Sequence, residues 1–314
     1  MARSFISIAD LTATELKTLV ANGIKIKKAI RSGNYKNPAP LQGQTVSLIF
    51  SKRSTRTRIS TEGAVAYLGG QPMFLGKDDI QLGVNESLYD TTRVVSSMTS
   101  AIVARVGPHS DIQALAKDSR VPVINALCEK FHPMQAVADM IAIQEAFGAF
   151  SGLKVAWVGD ANNVLHDFAL ASVKLGMDIS IATPSGRPVS DEIKKLIANN
   201  AESGASAHYT SDPLEAVKDA NVIVTDTWIS MGQEEETQQK LKEFAGYQVT
   251  MDMAAKGGAA ANWKFMHCLP RHKEEVDDEV FYSDRSVVFE EAENRLYSAI
   301  AVLDAFVVNK GVVE

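Results

Sequence analysis

Thr45-Val46-Ser47-Leu48-Ile49-Phe50-Ser51-Lys52-Arg53-Ser54-Thr55-Arg56-Thr57-Arg58 carries an apolar run directly into eight residues that hold four cations and four hydroxyls. Residues 45 to 50 have the length and composition of a buried strand, and residues 59 to 68 continue with helix-compatible spacing. The basic segment therefore lies where a strand turns into a helix. The unsatisfied N–H groups of a helix's first turn, with the positive end of its dipole, favour an anion at that place. Arg forks two N–H groups onto phosphate oxygens, and Ser and Thr hydroxyls meet the remaining lone pairs. The stretch reads as a phosphate cradle. A solvated basic face, a nuclear-localisation signal or a nucleic-acid patch would instead set Lys/Arg blocks in polar, flexible sequence.

Outward from the cradle, strand and helix patterns alternate. Thr12-Ala13-Thr14-Glu15 is a capping box that opens an amphipathic helix ending before Gly33, and Asn37-Pro38-Ala39-Pro40 is a loop. Short apolar strands are expected at 73–75, 101–105 and 121–125, with helices near 86–98, 110–118 and 134–147. The alternation restarts after 148–152, with strands at 154–160, 178–183, 221–226 and 264–268, helices near 163–175 and 190–200, and a closing helix over 291–309. Four-to-six-residue strands alternating with longer helices imply parallel sheets. The expected fold class is α/β, with two doubly wound parallel-sheet domains. The expected boundaries are 1–147 and 148–290, with 291–314 packing back on the first domain. In such sheets ligands sit beyond the carboxyl ends of the strands.

The chain has 314 residues, 46% hydrophobic and 22% charged, which suits a globular protein of about two domains. A formal net charge of -6 argues against general attachment to nucleic acid or an acidic membrane, so an anionic ligand must be met locally. The two cysteines, Cys128 and Cys268, lie far apart and form neither a disulfide framework nor a CxxC pair. No apolar segment approaches the roughly 20 residues needed to span a bilayer. The opening residues show no signal peptide or long basic transit segment. A cytoplasmic location is expected, with the mitochondrial matrix after leader removal as the alternative.

Three further stretches end predicted strands or open helices. His132-Pro133-Met134-Gln135 places an imidazole and a carboxamide one helical turn apart, a pairing suited to a planar carbonyl-bearing group. Alone it reads rather as a helix cap with a surface His. Asp226 to Gly232 combines a carboxylate, the Ser230 hydroxyl and free loop N–H groups, enough to grip both ends of an amino-acid backbone; alone it is an ordinary loop. His267-Cys268-Leu269-Pro270 ends another strand, with Pro270 directing the exit. Cys268 there is open to reading as nucleophile, proton acceptor or small apolar residue.

Taken together, Ser54-Thr55-Arg56-Thr57-Arg58, His132-Pro133-Met134-Gln135, Asp226 to Gly232 and His267-Cys268-Leu269-Pro270 resemble the aspartate/ornithine carbamoyltransferase family, in order and nearly end to end. Gln81-Leu82-Gly83-Val84-Asn85-Glu86-Ser87 and Glu291-Ala292-Glu293-Asn294-Arg295 extend the likeness. The Ser-Met-Gly and His-Cys-Leu-Pro stretches are similar to the ornithine branch of that family. The resemblance implies transfer of the carbamoyl group of carbamoyl phosphate to the δ-amine of L-ornithine. The products are citrulline and phosphate, in arginine biosynthesis or the urea cycle.

It further implies that Ser54, Thr55, Arg56 and Thr57 hold the phosphate, with Arg105 bridging to the carbamoyl oxygen and Arg295 reaching in from the closing helix. His132 polarises the carbonyl, while Gln135 and the Leu269 backbone hold the carbamoyl nitrogen. Gln81 is the contribution of a neighbouring subunit, since the family is a homotrimer with shared active sites. Asn163, Asp226, Ser230 and the Met231 backbone fix the ornithine backbone, and Cys268 lies near the δ-amine. Cys268, Arg105, His132 and Asp226 are the expected catalytic group. No metal or organic cofactor is expected, and no nucleic-acid or membrane partner.

Rival readings have identifiable weaknesses. A carbamoyltransferase for aspartate would need cations for the side-chain carboxylate, where this chain offers Asp226, Ser230 and Cys268. An acetylated ornithine is the other rival acceptor. Val158-Gly159-Asp160-Ala161-Asn162-Asn163 follows a buried strand, as a dinucleotide site would, but lacks the second and third glycines of GxGxxG. A non-catalytic sensor of the same metabolites is the remaining alternative, for which His132, Cys268 and Asp226 together would be superfluous.

Overall fold

The computed structural model describes residues 2–36, 38–80, 86–229 and 237–314. The expectations on Gln81, Ser230 and Met231 lie outside the described residues. The chain divides into two compact units, residues 1–141 with 293–314, and residues 142–292.

In the first unit, α1 (Ala13–Arg31) starts at the capping box: Thr12 Oγ1 accepts from the Glu15 N–H, and Glu15 Oε2 accepts from the Thr12 N–H. There follow β1 (Thr45–Phe50), α2 (Thr55–Tyr67), β2 (Gln71–Gly76), α3 (Leu88–Met98), β3 (Ala101–Arg105), α4 (His109–Asp118), β4 (Val123–Leu127) and α5 (Pro133–Phe147). The strands form one parallel sheet in the order β2-β1-β3-β4. All five residues of β3 and the last five of β1 are buried, as central parallel strands covered on both faces require. The chain leaves β1 for β2 on one side and crosses to β3 on the other. The crevice beyond the ends of β1 and β3 is therefore a topological switch point. The outer edge of β4 is covered by a parallel bridge from Phe5 to Ile124, and β2 is the other edge.

The second unit contains β5 (Lys154–Val158), α6 (Asn163–Lys174), β6 (Asp178–Ala182), α7 (Asp191–Asn199), β7 (Ala207–Thr210), α8 (Pro213–Val217), β8 (Val222–Val224), α9 (Thr237–Glu243), α10 (Met251–Gly257), β9 (Lys264–Met266) and α11 (Asp278–Phe281). Its strands are also parallel, in the order β7-β6-β5-β8-β9, which puts the switch point between β5 and β8. Two parallel-sheet α/β units match the fold class read from sequence. β7 has no counterpart among the expected strands, because an edge strand of sequence Ala-His-Tyr-Thr shows no apolar run.

The last helix, α12 (Val288–Leu303), continues into a π-helical turn at residues 304–308. Its residues from Glu293 onward belong to the first unit. There the buried Lys27 Nζ donates to Asn294 Oδ1 at 2.7 Å, and Ser298 Oγ donates to the Met134 carbonyl at 2.7 Å. Among the described residues no helix is long and apolar enough to cross a membrane.

Candidate active site

The cradle forms at the strand-to-helix junction between β1 and α2. Ser54 is the N-cap of α2, its Oγ accepting from the Thr57 N–H at 3.3 Å. A hydroxyl oxygen that accepts retains its own O–H, so Ser54 can still donate to an anion. The four cations do not act alike. Lys52 lies 4.0 Å from Glu129, while Arg58 pairs with Glu62 at 2.9 Å and stacks over Phe74 at 3.7 Å from the ring centroid. Arg56 is the cradle cation whose charge bears on His132.

Arg105 ends β3 in register with Phe50, so its side chain leaves the sheet beside the cradle, and it is buried. Its carbonyl accepts from the Ser51 N–H at 2.9 Å and from Ser51 Oγ at 3.2 Å, which ties the two strand ends together. Arg295 reaches the same place from α12. Its Nη2 donates to Thr57 Oγ1 at 3.1 Å and its Nη1 to Gln135 Oε1 at 2.6 Å. Gln135 Nε2 in turn donates to Asp139 Oδ1 at 2.7 Å.

His132 immediately precedes α5 and is 5% exposed. Burial is the first cause holding its pKa well below the ordinary 6.5, and the charges of Arg295, Arg105 and Arg56 reinforce it. The imidazole is therefore neutral at physiological pH. Its buried Nδ1 meets no hydrogen-bond partner among the described residues, a penalty of about 1–3 kcal/mol that a bound ligand would relieve. Three guanidinium groups around one neutral imidazole make a strongly positive, largely dry place for an anion bearing a carbonyl.

In the second unit, the candidate residues flank the β5/β8 switch point. Asn162 caps α6, its Oδ1 accepting from the Val164 and Leu165 N–H groups at 3.0 and 3.1 Å. Its Nδ2 donates to Asp226 Oδ2 at 2.7 Å. Asn162 is thus committed to the scaffold, while Asn163 is the first helical residue. Asp226 follows β8, is 4% exposed, and has its pKa raised chiefly by burial. Its other oxygen accepts from the Cys268 thiol at 3.1 Å.

A hub that the sequence does not advertise positions these groups. Glu275, 1% exposed, accepts from His267 Nε2, the His272 N–H and His272 Nδ1, all at 2.9 Å, and from the Trp228 N–H at 3.2 Å. The Leu269 N–H donates to His267 Nδ1 at 2.9 Å. Because that nitrogen accepts, the proton of the neutral ring sits on Nε2 and faces Glu275. The chain of bonds fixes Leu269 in the left-handed region at φ 62, beside a cis Leu269–Pro270 bond. It also anchors Trp228. Lys240, 1% exposed, adds a second anchor, donating to Asp160 Oδ2 at 3.1 Å and to the Trp228 carbonyl at 2.7 Å. Gly159 lets the β5 turn approach both the end of β8 and Trp228, since a Cβ there would lie 3.0 Å from Thr225 Oγ1 and 3.3 Å from Trp228 Nε1. Nothing local in the sequence marks Glu275 or Lys240, which sit in polar runs resembling surface.

Residues 3–145 match a family model described as the aspartate/ornithine carbamoyltransferase carbamoyl-P binding domain, and residues 151–306 match its Asp/Orn binding domain. The chain belongs to the aspartate/ornithine carbamoyltransferase family. Its resemblance to the ornithine members is close. It is 61% identical over 312 residues to the mitochondrial ornithine transcarbamylase of Pachysolen tannophilus, covering 98% of this chain and 90% of that one. It is 52% identical over 326 residues to the ornithine carbamoyltransferase of Saccharomyces cerevisiae, covering 98% and 95%. The crystal structure of a mitochondrial ornithine carbamoyltransferase from Coccidioides immitis superposes with a TM-score of 0.94 at 56% identity, covering 100% of both chains.

Proposed function

We propose that the chain is an ornithine carbamoyltransferase whose first unit binds carbamoyl phosphate and whose second binds L-ornithine. The observation that carries the residue assignment is the neutral, buried His132 set among Arg56, Arg105 and Arg295. The phosphate is held by Ser54, Thr55, Arg56 and Thr57 with the first-turn N–H groups of α2. Arg105 and His132 donate to the carbamoyl oxygen, and Gln135 with the Leu269 carbonyl accepts from the carbamoyl nitrogen. Gln81 of a neighbouring subunit contributes to the same ligand. Asn163, Asp226, Ser230 and the Met231 backbone hold the ornithine α-amino and α-carboxylate groups.

The δ-amine of ornithine, like a Lys side chain, has an unperturbed pKa of about 10 and must shed a proton before it attacks. Asp226 and Cys268, joined by a hydrogen bond, are the groups assigned to tune or receive that proton. Attack on the carbonyl carbon forms a tetrahedral oxyanion, which Arg105, His132 and the Thr57 hydroxyl stabilise. The C–O bond to phosphate then breaks, the charge of the departing phosphate being met by Arg56 and the helix terminus. Citrulline remains, the product used in arginine biosynthesis or the urea cycle.

We further propose a homotrimer. Ile59, Met73, Tyr89, Val94 and Met98, on α2, β2 and α3, are exposed apolar side chains of the first unit, and they support burial against another subunit. Relatives named mitochondrial favour the matrix over the cytoplasm as the compartment. The functional reading is tested by assaying citrulline and phosphate from carbamoyl phosphate plus ornithine. Equal release of both supports it, whereas binding of carbamoyl phosphate without turnover favours the sensor.

A further inference from the structure

Gln135 sits between two buried charged groups whose hydrogen-bonding characters differ. Arg295 has only N–H donors, so the Gln135 atom at 2.6 Å from Nη1 must be the carbonyl oxygen. The amide nitrogen therefore points the other way, to Asp139 Oδ1 at 2.7 Å. Thr57, Gln135, Asp139 and Arg295 are each 3% exposed or less, so water competes little for these bonds. Asp139 lies one helical turn beyond Gln135, and its neighbours Val137, Ala138, Met140 and Ile141 are apolar and buried. An apolar residue would suit this stretch of α5 better than a carboxylate, since burying a charge is costly.

We propose that Asp139 is a positioning residue that, together with Arg295, sets the polarity of the Gln135 amide and so makes the site select a carbamoyl over an acetyl group. This rests on the reading above that Gln135 faces the carbamoyl nitrogen. An sp² oxygen carries two lone pairs, so the Oε1 that accepts from Arg295 can accept a second N–H from the ligand. The carbamoyl NH₂ supplies that donor. Acetyl phosphate, which has the same phosphate and carbonyl with a methyl in place of the amine, supplies none. A site built to pair with an N–H strongly rejects an analogue lacking it, because its own polar group is then left unpaired. Without an acceptor at position 139 the amide nitrogen is left unpaired and only Arg295 still orders the group, so its oxygen is held less firmly toward the carbamoyl nitrogen and acetyl phosphate loses part of its disadvantage.

The test compares kcat/KM for carbamoyl phosphate with that for acetyl phosphate, ornithine being the acceptor, in wild type, Asp139→Leu and Asp139→Asn. Asp139→Leu removes the acceptor, whereas Asp139→Asn keeps an amide oxygen that can take the Gln135 N–H. Asp139→Leu should lose about tenfold or more of the carbamoyl preference, and Asp139→Asn should keep it. An unchanged preference in Asp139→Leu, or the same loss in both variants, overturns the proposal. Should Asp139→Leu not fold, Asp139→Ala is read in its place. A wild-type chain that turns over neither acyl phosphate would overturn the functional reading itself.

Discussion

The Cys268 thiol lies 3.1 Å from Asp226 Oδ1 and is the donor of the pair. A thiol that gives its hydrogen bond to a carboxylate is held as a thiol, because the thiolate would face a second negative charge. Cys268 is thus poorly placed to form a carbamoyl thioester and well placed to share a proton with Asp226. Cys268→Ser keeps an O–H donor in that position. It should retain measurable turnover, falling by about 10²-fold or less, and rapid quench of the wild-type enzyme should trap no carbamoyl group on sulfur. A trapped thioester at Cys268 would contradict this role.

Asp226 is retained against its own burial. Its raised pKa means that the folded chain carries this carboxylate at a cost when it is ionised. Asp226→Asn removes the charge and keeps a carbonyl oxygen for the Asn162 amide. Urea unfolding at pH 8 should show stability equal to or above wild type, while kcat/KM for ornithine falls by about 10²–10⁴-fold. A variant that loses stability and activity together would make Asp226 a structural residue.

His132 gives a pH signature. Its folded pKa lies below its unfolded value of 6.5. Between those values the unfolded chain binds more protons than the folded one, so stability is fully present above pH 6.5 and falls as pH drops below it. His132→Asn removes that titration. Its urea midpoint should decline less between pH 7.5 and pH 5.5 than that of wild type, and parallel declines would refute the buried neutral imidazole.

Glu275 collects four donors with one carboxylate. Glu275→Gln turns an NH₂ toward some of those donors. The expected loss is about 2–3 kcal/mol of unfolding free energy. The KM for ornithine should rise as the anchors of Trp228 and Leu269 loosen, with KM for carbamoyl phosphate moving less.

The parts legible in sequence are those whose chemistry is compressed into consecutive residues. The cradle announces itself because a strand end followed by a helix start places neighbouring cations and hydroxyls in one spot, while His132 with Gln135, Asp226 and Cys268, ordinary features when each is read alone, are singled out only by the combined family resemblance. The partners that hold them are not marked locally, since they come from distant points of the chain. Arg295 meets Thr57 across 238 positions and Lys240 meets Asp160 across 80. Charge counting also misleads locally, because Arg58 faces Glu62 and Phe74 while the segment as a whole reads as uniformly basic. The capping role of Asn162, which commits it to two N–H groups and Asp226, is likewise visible only in the folded geometry. β7 is invisible in the sequence because half-exposed edge residues carry no period.

Every assignment above turns on transfer of a carbamoyl group to the δ-amine of ornithine. Incubating the enzyme with carbon-labelled carbamoyl phosphate and, in turn, L-ornithine, N-acetylornithine, putrescine and L-aspartate, and locating the label by NMR, shows where that group goes. A single labelled ureido carbon should appear on the δ-nitrogen of ornithine, formed with one phosphate per citrulline. Label appearing on aspartate or N-acetylornithine in preference to ornithine, or on no acceptor at all, would contradict it.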